Sequence, residues 1–156
     1  MTAGGGNDTA FLAPLVKRVY AFDISEEAIN KAKKKCASFE NVVFIHDDHI
    51  HVREYVKDEV KLVLFNLGYY PYGDHEIVTE KEKTLRALEE SYDLLCDNGY
   101  LIVTSYRGHP GGKDEYEGIR RYIEENELTV LETYRRYRKS DEPVTFIVKK
   151  ITRKPL

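Results

Sequence analysis

The residues with the clearest capacity for chemistry lie in FNLGYYPYGD, Phe65 to Asp74, directly after the apolar run VKLVLF. Asn66 offers a side-chain carbonyl, and the sharp turn through Leu67 and Gly68 to Tyr69 can bring a backbone carbonyl beside it. Two such acceptors can hold the hydrogens of an amino group. The rings of Tyr69, Tyr70 and Tyr72 can flank a flat ring. A tyrosine-rich surface loop is the alternative. A second group is TAGGGNDT, Thr2 to Thr9, a glycine-rich loop that runs into the helical NDTAFLAPLV. Gly4, Gly5 and Gly6, with Asn7 and Asp8, let the backbone approach a ligand and turn N–H groups toward it. Asp23 ends the next apolar run, RVYAFDI, where an acid can accept from both hydroxyls of a ribose. NAD and S-adenosylmethionine (SAM) both carry such a ribose, so the loop and the acid do not separate them.

IHDDHIH, Ile45 to His51, holds three histidines and two aspartates. The set suggests zinc. Alternation along a strand, however, sends neighbours to opposite faces, and the segment straddles a strand end. No metal is therefore expected. Asp48 suits the exocyclic amino group of an adenine, with His49 opening the next helix and lining the pocket. SYRGHPGG, Ser105 to Gly112, adds His109, Arg107 and, just beyond, Lys113. YRRYRK, Tyr134 to Lys139, contributes Arg135, Arg136 and Arg138. Arginines among tyrosines can hold phosphates and stack on bases, so these cations are candidate nucleic-acid contacts. A solvated strand edge guarded by charge is the other reading.

These stretches all fall at the ends of predicted strands. RVYAFDI, NVVFIHDD, VKLVLFNL and YLIVTSY read as strands, separated by the helices SEEAINKAKKKCASF, HVREYVKDE and TEKEKTLRALEESYDLLCDNG. Ser25 and Thr79 are N-caps for the first and last of these helices, and Asn98–Gly99 is the stop signal for the last. KDEYEGIRRYIEENE follows as a helix. LTVLETYRRY and PVTFIVKKI then form an antiparallel hairpin about RKSDE. The third strand is apolar on both faces, as in a covered parallel sheet. Alternation followed by a hairpin predicts an α/β, doubly wound, mostly parallel sheet with one reversed strand. Ligands of such sheets sit at the carboxyl ends of the strands.

The chain has 156 residues, enough for one domain with a core. It is 42% hydrophobic and 33% charged, with a net charge of −3, so bulk charge does not advertise nucleic-acid binding. Cys36 and Cys96 fall on predicted helices without a CxxC pair and read as reduced thiols. No apolar run is long enough to span a membrane. MTAGGGNDT has neither the basic region nor the apolar core of a signal peptide. The expectation is a cytoplasmic protein.

NLGY resembles the Asn-Pro-Pro-Tyr type of motif in amino-group methyltransferases, with Leu-Gly in place of Pro-Pro. TAGGGNDT, YAFDI, NLGYYPYGD, YRGHPGG and EPVTFIVKKI together resemble a group of class I SAM-dependent methyltransferases, the rRNA methylase family. That group includes enzymes acting on the aminomethyl group of wobble 5-aminomethyl-2-thiouridine in tRNA. The resemblance implies a Rossmann-like sheet, SAM as cofactor and an amine acceptor. By position it assigns cofactor contacts to Gly4, Gly5, Gly6, Asn7, Asp8, Asp23, Ser25, Asp48 and His49. Two departures stand out. The family's loop reads Gly-Asn-Gly, and Gly5 replaces the Asn. The family also has a helix and a first strand before the loop, whereas Met1 stands where that strand ends. The expected fold is therefore a single domain over 1–156 lacking the usual first strand.

The expected function is SAM-dependent N-methylation of RNA, with the anticodon region of tRNA as partner. Asn66 and Tyr69 would present the amine, and His109 and Asp74 would help remove its proton. A nicotinamide-dependent oxidoreductase and a non-catalytic RNA-binding protein on a degenerate Rossmann-like fold are the alternatives. No membrane partner is expected, and a homodimer is left open.

Overall fold

The computed structural model describes residues 2–68, 81–135 and 142–151. α1 (Asn7–Leu12) gives way at Pro14 to a 3-10 turn, Ala13–Leu15. Proline brings no N–H to continue the α pattern. β1 (Val19–Asp23), α2 (Glu26–Lys35), β2 (Val42–His46), a second 3-10 turn (His49–His51), α3 (Val52–Tyr55) and β3 (Val60–Leu67) follow. α4 (Lys81–Leu94), β4 (Leu95–Ser105), α5 (Gly112–Glu125), β5 (Thr129–Arg135) and β6 (Val144–Lys149) complete the described elements. Thr79 lies outside the described residues.

α2 shows why these segments take their forms. The Ser25 hydroxyl accepts the Ala28 N–H at 3.2 Å. Glu26 and Glu27 occupy the first turn, and Lys33, Lys34 and Lys35 the last, each complementing the helix dipole. Ala28, Ile29 and Ala32 form the buried stripe. In β3 and β6 alternate residues are buried: Val63, Phe65 and Leu67 in one, Val144, Phe146 and Val148 in the other. Together with Leu101 and Val103 of β4 and Leu88 and Ile119 of the helices they form the main core. A smaller cluster joins Phe22, Ile45, Val52, Val56 and Leu94.

β1 and β2 pair in parallel, and β3 pairs in parallel with β4. β6 runs antiparallel between β4 and β5, giving the order β3-β4-β6-β5. The mostly parallel sheet with a reversed C-terminal strand is thus as predicted. Among the described residues β1 and β3 are not paired, so the strands form a two-stranded and a four-stranded sheet. Thr2 and Ala3 span the space between their carboxyl ends. The Ala3 N–H donates to the Phe22 carbonyl at 2.7 Å, and the Thr2 hydroxyl bonds the backbone of Asn66.

Several helices end earlier than the sequence expectation, α2 at Lys35 rather than Phe39 and α3 at Tyr55 rather than Glu59. The long helix ends at Leu94 rather than at Asn98–Gly99, and Cys96 lies on β4, not on a helix. Lys150 explains the early stop. Its ammonium donates to the Tyr92, Asp93 and Leu95 carbonyls at 3.2, 3.0 and 2.8 Å. Its backbone exchanges bonds with Asn98 and Gly99, drawing that segment into the sheet beside β6. Cys36, likewise, caps α2 rather than lying within it.

The glycine loop carries a steric demand that can be tested. Gly6 has φ +80°, and a Cβ there would lie 2.7 Å from the Ala32 Cα. A Cβ on Gly5 would meet nothing within 4 Å. Gly6→Ala should therefore cost on the order of 2 kcal/mol or more, and Gly5→Ala less than about 0.5 kcal/mol. Urea unfolding of the two variants checks this, and equal midpoints would refute the close packing of the loop on α2.

Candidate active site

The carboxyl ends of β1, β3 and β4 and the glycine loop meet on one side of the fold. Asp23 organises the first part. Its Oδ2 accepts the Gly4 N–H at 2.8 Å, and its Oδ1 accepts the Ser25 N–H at 2.9 Å. One carboxylate thus fixes both the loop and the start of α2. An ionised carboxylate has about four acceptor positions, so capacity remains for a diol. The Ser25 hydroxyl is already committed to capping α2, so Ser25 serves Asp23 through its backbone. Asn7 receives the Lys35 ammonium on its side-chain oxygen.

The three histidines of IHDDHIH go to separate partners. His46 Nε2 donates to the Ile24 carbonyl at 3.0 Å. His51 Nδ1 donates to Asp47 Oδ1 at 3.0 Å. Asp47 also takes the Tyr55 hydroxyl at 2.7 Å, and these two bonds, Tyr55 first, hold its carboxyl below the usual range. Asp48 caps the 3-10 turn, accepting the Ile50 N–H at 3.2 Å, with the Lys83 ammonium 3.8 Å from its other oxygen. His49 is buried with its ring edge-on to Phe65 at 5.7 Å. It is a packed core group in addition to its place beside Asp48.

Burial pushes the His49 imidazole down to about 4 from an ordinary 6.5. The unfolded chain therefore binds a proton that the folded chain refuses between these values. Stability contributed by neutral His49 is full above pH 6.5 and is lost as pH falls toward 4. Lowering the pH from 7.5 to 5 should remove about 2 kcal/mol of unfolding free energy through this group. His49→Leu should lose less over the same interval in urea titrations, and an identical loss would refute the assignment.

Asn66 sits at the end of β3, opposite Thr104 of β4, with its side chain exposed. The Thr2 hydroxyl donates to its carbonyl at 2.5 Å and accepts its N–H at 3.3 Å. Its side-chain amide donates to Asp8 Oδ2 at 3.4 Å. The structure therefore brings Thr2, Asp8, Asp23 and Asn66 into one locus. Gly68 follows, where a Cβ would lie 3.4 Å from the Tyr106 ring. Thr2 and Tyr106 were not among the predicted site residues. Tyr106 could have been found as an aromatic residue directly after β4, whereas nothing in the local sequence marks Thr2. Tyr69 and Asp74 lie outside the described residues.

The loop after β4 forms a second part. A cavity of about 380 Å³ is lined by Arg107, Gly108, His109, Lys113 and Asp114. His109 is buried, and its Nδ1 donates to the Pro110 carbonyl at 2.9 Å. A carbonyl only accepts, so Nδ1 carries a hydrogen. Arg107 donates through Nε to the Glu142 carbonyl at 2.9 Å and lies 5.1 Å from the centre of the Tyr116 ring. Arg135 donates to the Tyr116 hydroxyl at 3.2 Å, and Phe146 stacks on the same ring. Tyr116 thus holds both arginines at one end of the sheet. β5 runs in the direction of β4, so Arg135 shares the site's side. Arg136 and Arg138 lie outside the described residues.

Residues 19–149 match the model of the family described as "Putative rRNA methylase". The chain belongs to this rRNA methylase family. A Clostridium thermocellum structure with the same description is 36% identical, at a TM-score of 0.89, over 96% of this chain and 86% of that one. A Streptococcus mutans protein of the methyltransferase class, solved with S-adenosylhomocysteine, is 31% identical at a TM-score of 0.86, over 96% and 85%. The Arabidopsis thaliana chloroplastic tRNA (mnm5s2U34)-methyltransferase is 32% identical over 76% of this chain. The alignment spans about half the length of that relative, 49%. Among the described residues no helix is long and apolar enough to cross a membrane.

Proposed function

We propose that this member of the rRNA methylase family is a SAM-dependent N-methyltransferase that modifies the aminomethyl group of a wobble uridine in tRNA. Residues 1–156 are read as one methyltransferase domain. The observation that carries the proposal is the amide of Asn66, held at the end of β3 against a glycine loop that Asp23 anchors. The Arabidopsis relative's activity on tRNA and the S-adenosylhomocysteine bound by the Streptococcus relative support the same reading.

The residues fit the cofactor. Asp23 keeps acceptor capacity for ribose hydroxyls beyond its two backbone bonds, and the loop leaves space above Gly5. When bound, SAM would supply an electrophilic methyl carbon to the amine nitrogen, with S-adenosylhomocysteine as the leaving product. Asn66 accepts hydrogens of the incoming amine and turns its lone pair toward that carbon. An alkylamine titrates near ~10.4 and arrives protonated at neutral pH. One proton must leave before attack, and a desolvating site favours the neutral form. His109, which lines the cavity after β4, is the group we assign to accept it. Arg107, Lys113 and Arg135 meet tRNA phosphates.

Calorimetric titration with SAM and with NAD separates this reading from its rivals. Binding of SAM alone is expected. Binding of NAD alone would favour an oxidoreductase, and binding of neither a non-catalytic RNA-binding protein.

A further inference from the structure

We infer that Asp8 is a positioning residue that sets which edge of the Asn66 amide faces the acceptor amine. The inference rests on the proposed role of Asn66 and extends it to a residue that role does not require. Asn66 has two different edges, a carbonyl oxygen and an NH2 group, and only the oxygen can accept from an amine. A free side chain would present either edge. The neighbour at 3.4 Å is Asp8 Oδ2, and an ionised carboxylate can only accept hydrogen bonds. The NH2 edge must therefore turn to Asp8, because the opposite rotamer would set two oxygens against each other. Oδ1 then faces the other way.

The remaining freedom of Asn66 is removed from a second direction. The Thr2 hydroxyl bonds both its N–H and its carbonyl, so the backbone that carries the side chain is fixed. Asp8 is itself fixed, in the first turn of α1 immediately after Gly6. Gly6 packs against α2 and accepts the Ala10 N–H at 2.9 Å. The packing of the loop on α2 thus sets where Asp8 stands, and Asp8 sets the amide. Both side chains are exposed, and such a contact shortens when bound substrate excludes water.

The test compares Asp8→Asn, Asp8→Glu, Asn66→Ala and the double variant Asp8→Asn/Asn66→Ala. Each is assayed for kcat of methyl transfer to aminomethyl-bearing tRNA and for the Kd of SAM. An Asn at position 8 can pair with either edge of the Asn66 amide, so Asp8→Asn should lose about tenfold in kcat at saturating SAM, a loss separate from any change its place in the cofactor loop brings to the Kd of SAM. Asp8→Glu keeps an acceptor-only group and should recover part of the loss. In the double variant the Asp8 substitution should add nothing to Asn66→Ala, since its effect passes through that amide. Thermal melts of each variant report on folding separately. Wild-type kcat in Asp8→Asn at saturating SAM, or additive losses in kcat in the double variant, would overturn the positioning role while leaving that of Asn66 intact. Wild-type turnover in Asn66→Ala would instead overturn the proposed role of Asn66, and this inference with it.

Discussion

Asn66→Ala should lose about 100-fold in turnover, the usual loss when one well-placed polar group leaves a catalytic site. The Kd of SAM should stay within about twofold, because Asn66 acts on the acceptor nitrogen and not on the cofactor. An interaction realised chiefly in the transition state appears in kcat, and one that binds both states equally appears in KM. Alanine also leaves β3 intact, since the Thr2 hydroxyl bonds the backbone of residue 66 and not its side chain. Turnover under saturating SAM, with binding measured by calorimetry on the same preparation, checks both halves. Turnover within about threefold of wild type would end the amine-orienting role.

Asp23→Ala should weaken SAM binding by more than about tenfold. A hydrogen bond to a charged acceptor is worth about 1.5–3 kcal/mol, and about 1.4 kcal/mol is a factor of ten in affinity. The loss has two sources. The ribose hydroxyls lose their acceptor, and the Gly4 and Ser25 N–H groups lose the carboxylate that holds the loop beside α2. Asp23→Asn separates them. Its amide oxygen can still accept one backbone N–H, but it lacks the charge and the second acceptor. It should bind SAM better than the alanine variant and worse than wild type. An unchanged Kd in Asp23→Ala would end the ribose assignment.

The pattern of strands and helices was legible because each segment buries one periodic face. α2 was readable down to its Ser25 cap, and β3 from the apolar stretch LVLF at its centre. The α4–β4 boundary was not readable, because Lys150, more than fifty residues away, decides where the helix stops. Asn98–Gly99 is a valid stop signal that the fold uses inside a strand, with Asn98 at φ +59°. The division into two sheets follows from the β1–β3 edge, where the described residues supply only Thr2 and Ala3 as bridges.

In the site, Asp23 was legible as a strand-end acid, but its bonds to the Gly4 and Ser25 N–H groups were not. Nor was the contact of Asn66 with Asp8, because it joins residues 58 apart. The buried state of His49 was hidden for a similar reason. IHDDHIH reads as a polar strand end, and only the packing of Phe65 against it makes one of its histidines a core group. Arg107 and Arg135 stand out in the sequence by their charge. Their shared anchor on Tyr116 depends on α5 lying against β6, which local sequence does not reveal.

The most direct measurement is methyl transfer from labelled SAM to two forms of one tRNA, with and without the aminomethyl group on its wobble uridine. Label should enter the aminomethyl form and be recovered in its wobble nucleoside as a methylated amine, with the other form at background. Equal labelling of both forms, or label recovered in any other nucleoside, would contradict N-methylation of the wobble aminomethyl group.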